Sequence, residues 1–260
     1  MSTPPAYVEA GKNGTTLLFL HGVGGGHAAW DAQLPYFAAR GYRAVAWDAP
    51  GYGASPAADP YELERLAGAA DTLIRHLGAA TVVLIGHSMG GFIALETYAQ
   101  YPHRVKALVL CFTSPAFGGS GGDFQRQFVE ARLAPLDAGK SMAQMARALT
   151  PTMRGARSLP GALEHAERIM SGVPEQTYRK AVRLLTTFDR RALLPQIGVP
   201  TLVLAGSDDR IAPPAVMGRM ASKIPDAEYH LLEGCGHLGP IDQPQEFNDA
   251  LERFLSRHSL

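Results

Sequence analysis

Two hydrophobic patterns alternate along the first half of the chain. Leu17–Leu20, Ala44–Trp47, Val82–Ile85 and Val105–Cys111 are short, nearly unbroken apolar runs rich in Val, Leu and Ile. Such runs are too short for buried helices and are apolar on both sides of the pleat, as strands covered on both faces are. Between them lie longer segments of mixed character, Trp30–Ala39, Tyr61–Leu77 and Gly91–Gln100. In the second of these Leu63, Leu66, Ala70, Leu73, Ile74 and Leu77 recur at helical spacing, and Gly78 ends it as Gly41 ends the first. Strands alternating with amphipathic helices predict an α/β fold with a mostly parallel sheet flanked by helices.

The alternation stops after Val105–Cys111. From 115 to 196 no strand pattern is found, only a Gly-rich stretch at Gly118–Gly122 and helical segments near Phe124–Leu133, Ser141–Leu149, Gly161–Met170 and Glu175–Phe188. Strand and helix signals then resume with Thr201–Ala205, Pro214–Ser222, Glu228–Leu232 and Gln245–Ser256. The expected organisation is a core of residues 1–114 and 197–260 with a helical cap, 115–196, inserted between two strands. Such a cap should lie over the carboxyl ends of the strands, where open α/β sheets bind ligands.

Composition narrows the functional classes. Lys plus Arg and Asp plus Glu are both 24, so no net charge points to nucleic acid or an anionic membrane surface. Met1–Thr15 lacks a basic and apolar leader, and no apolar run approaches the roughly 18 residues of a spanning helix. A cytoplasmic location is therefore expected. Cys111 and Cys235 make neither a disulfide framework nor a metal-ligand spacing.

The chemistry gathers at strand ends. Val82–Ile85 runs into Gly86-His87-Ser88-Met89-Gly90, and a helix follows at once. A bend this sharp leaves no room for side chains at Gly86 and Gly90, and it sets Ser88 at a helix N-terminus, which favours developing negative charge. A serine hydroxyl needs a base, and the base works best when a carboxylate holds its tautomer. The strand ending at Ala205 leads into Gly206-Ser-Asp208-Asp209, and the strand ending at Leu232 leads into Glu233-Gly-Cys-Gly-His237. All three groups sit on one edge of the predicted sheet.

The chain resembles the α/β-hydrolase superfamily, in particular capped serine hydrolases such as small bacterial esterases and enol-lactone hydrolases. The resemblance rests on His21-Gly22-Val23-Gly24, the Asp48–Ser55 stretch, Gly86–Gly91, Gly206–Pro213 and Gly236-His237. It implies Ser88 as nucleophile, His237 as base and, from the family spacing after Gly206, Asp209 rather than Asp208 as the acid, with Asp208 a turn residue. It also implies an oxyanion hole made of the Val23 and Met89 amides, and no metal or organic cofactor. The expected reaction is hydrolysis of a small carboxylic ester or lactone through an acyl-enzyme. C–C bond hydrolysis of a ring-cleavage diketone uses the same triad and stays open, as does a ligand-binding receptor that retained it.

Several assignments remain at the level of the residues. His21 and His87 read as loop-orienting groups, and Asp48 as a tie within its own Gly/Pro loop. Met142, Met145, Met153 and Met170 either line a pocket or pack the cap. The zero net charge hides a split. Residues 115–196 carry 12 basic and 7 acidic side chains, net +5, and the remainder 12 and 17, net −5. A basic cap either steers an anionic substrate or serves docking and solubility. Oligomeric state is not encoded in any feature found.

Overall fold

The computed structural model describes residues 3–118 and 122–260. Residues 119–121 of the Gly-rich stretch thus lie outside the described residues. Seven strands form one sheet: β1 (Tyr7–Ala10), β2 (Thr16–Leu20), β3 (Arg43–Trp47), β4 (Val82–His87), β5 (Val105–Cys111), β6 (Thr201–Gly206) and β7 (Glu228–Leu232). Their order is β1-β3-β2-β4-β5-β6-β7. Only β1 is antiparallel to its neighbour; every other pairing is parallel. The central position of β4 follows from its sequence, since all six of its residues are buried.

Strand side chains alternate between two cores, as the pleat requires. Leu17, Phe19, Val83, Ile85 and Val109 face the layer of α1 (Gln33–Ala38) and the C-terminal helix Pro244–Arg257, meeting Phe37, Phe247 and Phe254. Leu18, Leu20, Leu84, Leu108 and Leu110 face the opposite layer, built on α2 (Leu63–His76) and α3 (Met89–Gln100). Burial of a full Leu or Phe side chain contributes about 1.5–3 kcal/mol, so these two clusters decide which way every strand faces.

Between β5 and β6 the chain forms α4 (Asp123–Asp137), α5 (Met142–Leu149), α6 (Ala162–Ser171) and α7 (Glu175–Leu185). Ser141 and Gln144 close a reciprocal capping box that sets the start of α5. Where this segment returns to the sheet it docks on α3. Phe188 stacks on Phe92 with ring centroids 4.0 Å apart, and Arg190 bonds the buried Glu96 at 2.6 Å. After β6 come α8 (Pro214–Ala221), α9 (Gly239–Asp242) and α10 (Pro244–Arg257). Among the described residues no helix is long and apolar enough to cross a membrane.

The structure departs from the sequence reading in three elements. β1 was not expected, because Tyr7–Ala10 is half-exposed and has no apolar run. It exists by pairing with β3 and by the Asp48 N–H to Ala6 carbonyl bond of 2.8 Å. The expected helix Trp30–Ala39 is instead a 3-10 turn at His27–Trp30 followed by α1. Pro35 fits a helix only in its first turn, so α1 begins at Gln33. The four-residue α9 follows His237 directly and is too short to leave a periodic pattern.

Candidate active site

β4 ends buried, and the chain reverses at Ser88 with φ 53° and ψ −118°. Non-glycine residues rarely adopt positive φ, and such strain persists only where the surroundings over-determine it. Here Ser88 N–H donates to the Cys111 carbonyl (3.0 Å), while Thr113 Oγ1 and Gly91 N–H donate to the Ser88 carbonyl (both 2.8 Å). A Cβ at Gly86 would strike the Gly90 carbonyl, and one at Gly90 would strike the Leu20 carbonyl on β2. Both glycines are thus required, the second by the neighbouring strand rather than by its own.

The loops after β6 and β7 bring the other two groups to this apex. His237 Nε2 lies 3.0 Å from Ser88 Oγ, and His237 Nδ1 lies 2.8 Å from Asp209 Oδ2. Asp209 Oδ1 accepts from the amides of Ile211 (2.8 Å) and Ala212 (2.9 Å). Burial alone would raise the Asp209 carboxyl, but His237 and the two amides outweigh it and hold the group below its ordinary value. An ionised Asp209 fixes His237 with Nδ1 protonated and Nε2 free to take the serine proton.

Asp208 points elsewhere. Its Oδ2 accepts from Ala156 N–H (2.8 Å), and its Oδ1 accepts from Ser207 Oγ (3.0 Å). It is therefore more than the turn residue expected from sequence. It fastens the acid loop to the segment between α5 and α6. The His237 loop is held from the same side, because His237 N–H donates to the Met153 carbonyl (2.8 Å).

The loop after β2 folds against Ser88. A Cβ at Gly22 would lie 3.1 Å from Ser88 Cβ, and Gly25 N–H closes a turn onto the Gly22 carbonyl (3.0 Å). Tyr52 Oη donates to the Val23 carbonyl (2.9 Å), which fixes the peptide next to the Val23 amide. Met89 is the first residue of α3, where backbone amides have no intrahelical partner. Of the two residues expected to supply oxyanion donors, Val23 thus lines the same cavity as Ser88 and Met89 follows Ser88 directly in the chain. Asp48 reaches further than its own loop: its carboxylate accepts from the His27 amide and pairs with the His27 ring at 2.9 Å. Its carbonyl still accepts from Ser55 Oγ within the loop.

Two buried histidines hold this frame. His21 Nδ1–H donates to the Gly22 carbonyl (2.8 Å) and Nε2 accepts from Ala49 N–H (3.0 Å). His87 Nε2–H donates to the His237 carbonyl (2.7 Å). Burial, the dominant cause in each, pulls the pKa down to about 4 for His21 and about 3 for His87. In the unfolded chain both would titrate near 6.5. As pH falls from about 6.5 towards 4, the unfolded chain binds more protons than the folded one, and stability drops. The expected slope is about 1.4 kcal/mol per pH unit for each histidine. Urea unfolding between about pH 7.5 and 4.5 checks this. His87→Asn should flatten the profile markedly, and an equally steep profile in that variant would contradict the assignment.

A cavity opens beside Ser88 and His237 and, with its mouth, holds ≈ 1170 Å³ of empty space. Its floor is the core, with Val23, Trp30, Phe112 and Leu238, and its roof comes from α4 to α7. Met153 lines it, Met170 both lines it and packs in the core cluster, and Met142 and Met145 only pack in that cluster. The two roles that sequence left open are thus both filled, and Met170 fills both. Sequence reasoning counted Arg132 only as one of the 12 basic residues of 115–196 and did not single out Thr150 or Tyr178, and all three are in the lining. Nothing in their local sequence marks them, since α4 and α7 meet only in three dimensions. No group of three or more His, Cys, Asp or Glu able to hold a metal occurs among the described residues.

A parallel sheet with Ser, His and Asp converging at its carboxyl edge under an apolar roof is the architecture of the α/β-hydrolases. The alpha/beta hydrolase fold family model matches residues 15–244. The chain belongs to that family and is a hydrolase. It is 31% identical over 265 residues to a protein named as a carbamate hydrolase, RutD, from Variovorax paradoxus, covering 97% of this chain and 96% of that one. It is 30% identical over 276 residues to a 2-hydroxy-6-oxononadienedioate/2-hydroxy-6-oxononatrienedioate hydrolase from Paraburkholderia phymatum, covering 96% and 90%. Among solved structures, a malate-bound thermophilic esterase from Thermogutta terrifontis superimposes with a TM-score of 0.86 at 27% identity, covering 97% and 93%.

Proposed function

We propose that the chain is a serine hydrolase that cleaves a small carboxylic ester or lactone through an acyl-enzyme. The observation that carries the reading is His237 bridging Ser88 Oγ (3.0 Å) and Asp209 (2.8 Å) beneath a largely apolar cavity. His237 takes the serine proton as Ser88 Oγ attacks the carbonyl carbon. The Val23 and Met89 amides receive the oxyanion, and such a donor is worth about 2.7–4 kcal/mol in the transition state. His237 then gives the proton to the departing alkoxide or enolate, and water, deprotonated by the same histidine, releases the acid. Residues 115–196 act as the cap that shapes the cavity, and 1–114 with 197–260 form the catalytic core.

C–C bond hydrolysis is the second reading, favoured by the 30% identity to a dienedioate hydrolase. A substrate panel of para-nitrophenyl esters, aliphatic lactones and a ring-cleavage dienoate separates the two. The expected result is turnover of esters or lactones with an acyl mass trapped on Ser88. Turnover confined to the dienoate would replace the ester reading with the second one.

A further inference from the structure

The roof of the cavity contains one charge that no carboxylate among the described residues neutralises. Six of the 12 basic side chains in 115–196 pair with carboxylates. Arg132, on α4, is not among them, and among the described residues its guanidinium has no carboxylate partner; it lies over the Phe128 ring, 5.3 Å from the centroid. Yet among the described residues this half-buried arginine is the only Arg or Lys that lines the cavity, and no described Asp or Glu lines it with Arg132.

A guanidinium set against apolar walls loses hydration that one aromatic face restores only in part. Tyr178 of α7 lines the same cavity, and burial raises the pKa of its phenol and keeps it protonated. Its hydroxyl makes no hydrogen bond among the described residues. A planar fork with two donors and a hydroxyl lining the same cavity match a carboxylate, which accepts bidentately from arginine. A phosphate dianion would call for a second cation, and the described lining has none.

We propose that Arg132, assisted by the Tyr178 hydroxyl, is an anion subsite that selects substrates bearing a carboxylate remote from the scissile bond. The selection rests on the ester or lactone reading above and names the substrate class for the same cavity. Such a substrate neutralises Arg132 on binding while its scissile carbonyl sits at Ser88. A neutral substrate of the same shape leaves the cation unpaired and binds less well.

Two matched substrate pairs test the subsite from either side of the scissile bond. One pair is para-nitrophenyl hemiglutarate against para-nitrophenyl valerate, and the other is para-carboxyphenyl butyrate against para-acetylphenyl butyrate. Wild type is expected to favour the anion in one pair. Arg132→Met should lower that pair's anion-to-neutral ratio of kcat/KM by about ten- to a hundredfold, mainly through KM, because a hydrogen bond to a charged group is worth that much. Arg132→Lys should recover part of the ratio. No anion preference in either pair, or equal losses for both members in Arg132→Met, would overturn the subsite. Glutarate titrated calorimetrically into Ser88→Ala, with and without Arg132→Met, reads the subsite without turnover. Arg132-dependent glutarate binding in a protein that cleaves no ester would uphold the subsite and reject the ester reading. Binding indifferent to Arg132 would reject the subsite itself.

Discussion

Ser88→Ala is expected to reduce ester or lactone turnover by at least about a thousandfold while leaving the unfolding transition near that of wild type. Removing the nucleophile of a triad typically costs more than that factor, since the residual activity comes only from oxyanion donors and binding. The fold should persist because the apex is held by backbone bonds, from Ser88 N–H to Cys111 and from Thr113 and Gly91 to the Ser88 carbonyl. None of these uses the hydroxyl. Ester turnover surviving above about a thousandth of wild type would remove Ser88 from the nucleophile's role.

The second large effect separates two adjacent aspartates. Asp209→Asn should lower kcat by about ten-thousandfold, as a wrong histidine tautomer does in a known triad. An amide NH₂ facing His237 Nδ1 would force the proton to Nε2, where it blocks acceptance from Ser88. Asp208→Asn should have a far smaller effect, because that carboxylate serves Ala156 and Ser207 and an amide oxygen can still accept one of those bonds. Kinetics of the two variants on one ester decide the point. Comparable losses, or a larger loss at Asp208, would mean that the acid has been assigned to the wrong residue.

How far the site was legible depends on how local its causes are. The bend at Ser88 was legible because a buried strand, two obligatory glycines and a helix follow one another within fifteen residues, 81–95. The strand end carrying Asp209 was legible because an apolar run stops at turn residues, and the one carrying His237 because the short strand Glu228–Leu232 stops at Glu233-Gly-Cys-Gly. The choice between Asp208 and Asp209 was not, from local chemistry alone. Both are carboxylates in one turn, and only the family spacing favoured the second. The side-chain directions in the folded loop separate them, one towards His237 and one towards Ala156.

Other features had no local cause to read. β1 forms because β3 offers an open edge, not because Tyr7–Ala10 carries a strand pattern. Met153 and Met170 reach the cavity while Met142 and Met145 only pack inside, though nothing local to the four residues separates them. Asp48 was expected to bind its own loop and binds His27 as well. The basic character of 115–196 could be counted from sequence, but half of those charges are spent on pairs with carboxylates. Packing of α4 against α7 singles out Arg132 as the one that faces the cavity.

Apolar runs, glycine positions and turn residues determined by themselves the strand and helix succession, the inserted helical stretch and the three residue types at the sheet edge. These depend on backbone sterics and on burial of neighbours a few residues apart. Tertiary structure alone decided that Ser88 and His237, 149 residues apart, meet at 3.0 Å. It also decided which aspartate faces the histidine and which arginine is left unpaired in the roof. Those outcomes depend on the direction of side chains across elements that touch only once the sheet is assembled, where a contact is set by packing rather than by chain spacing.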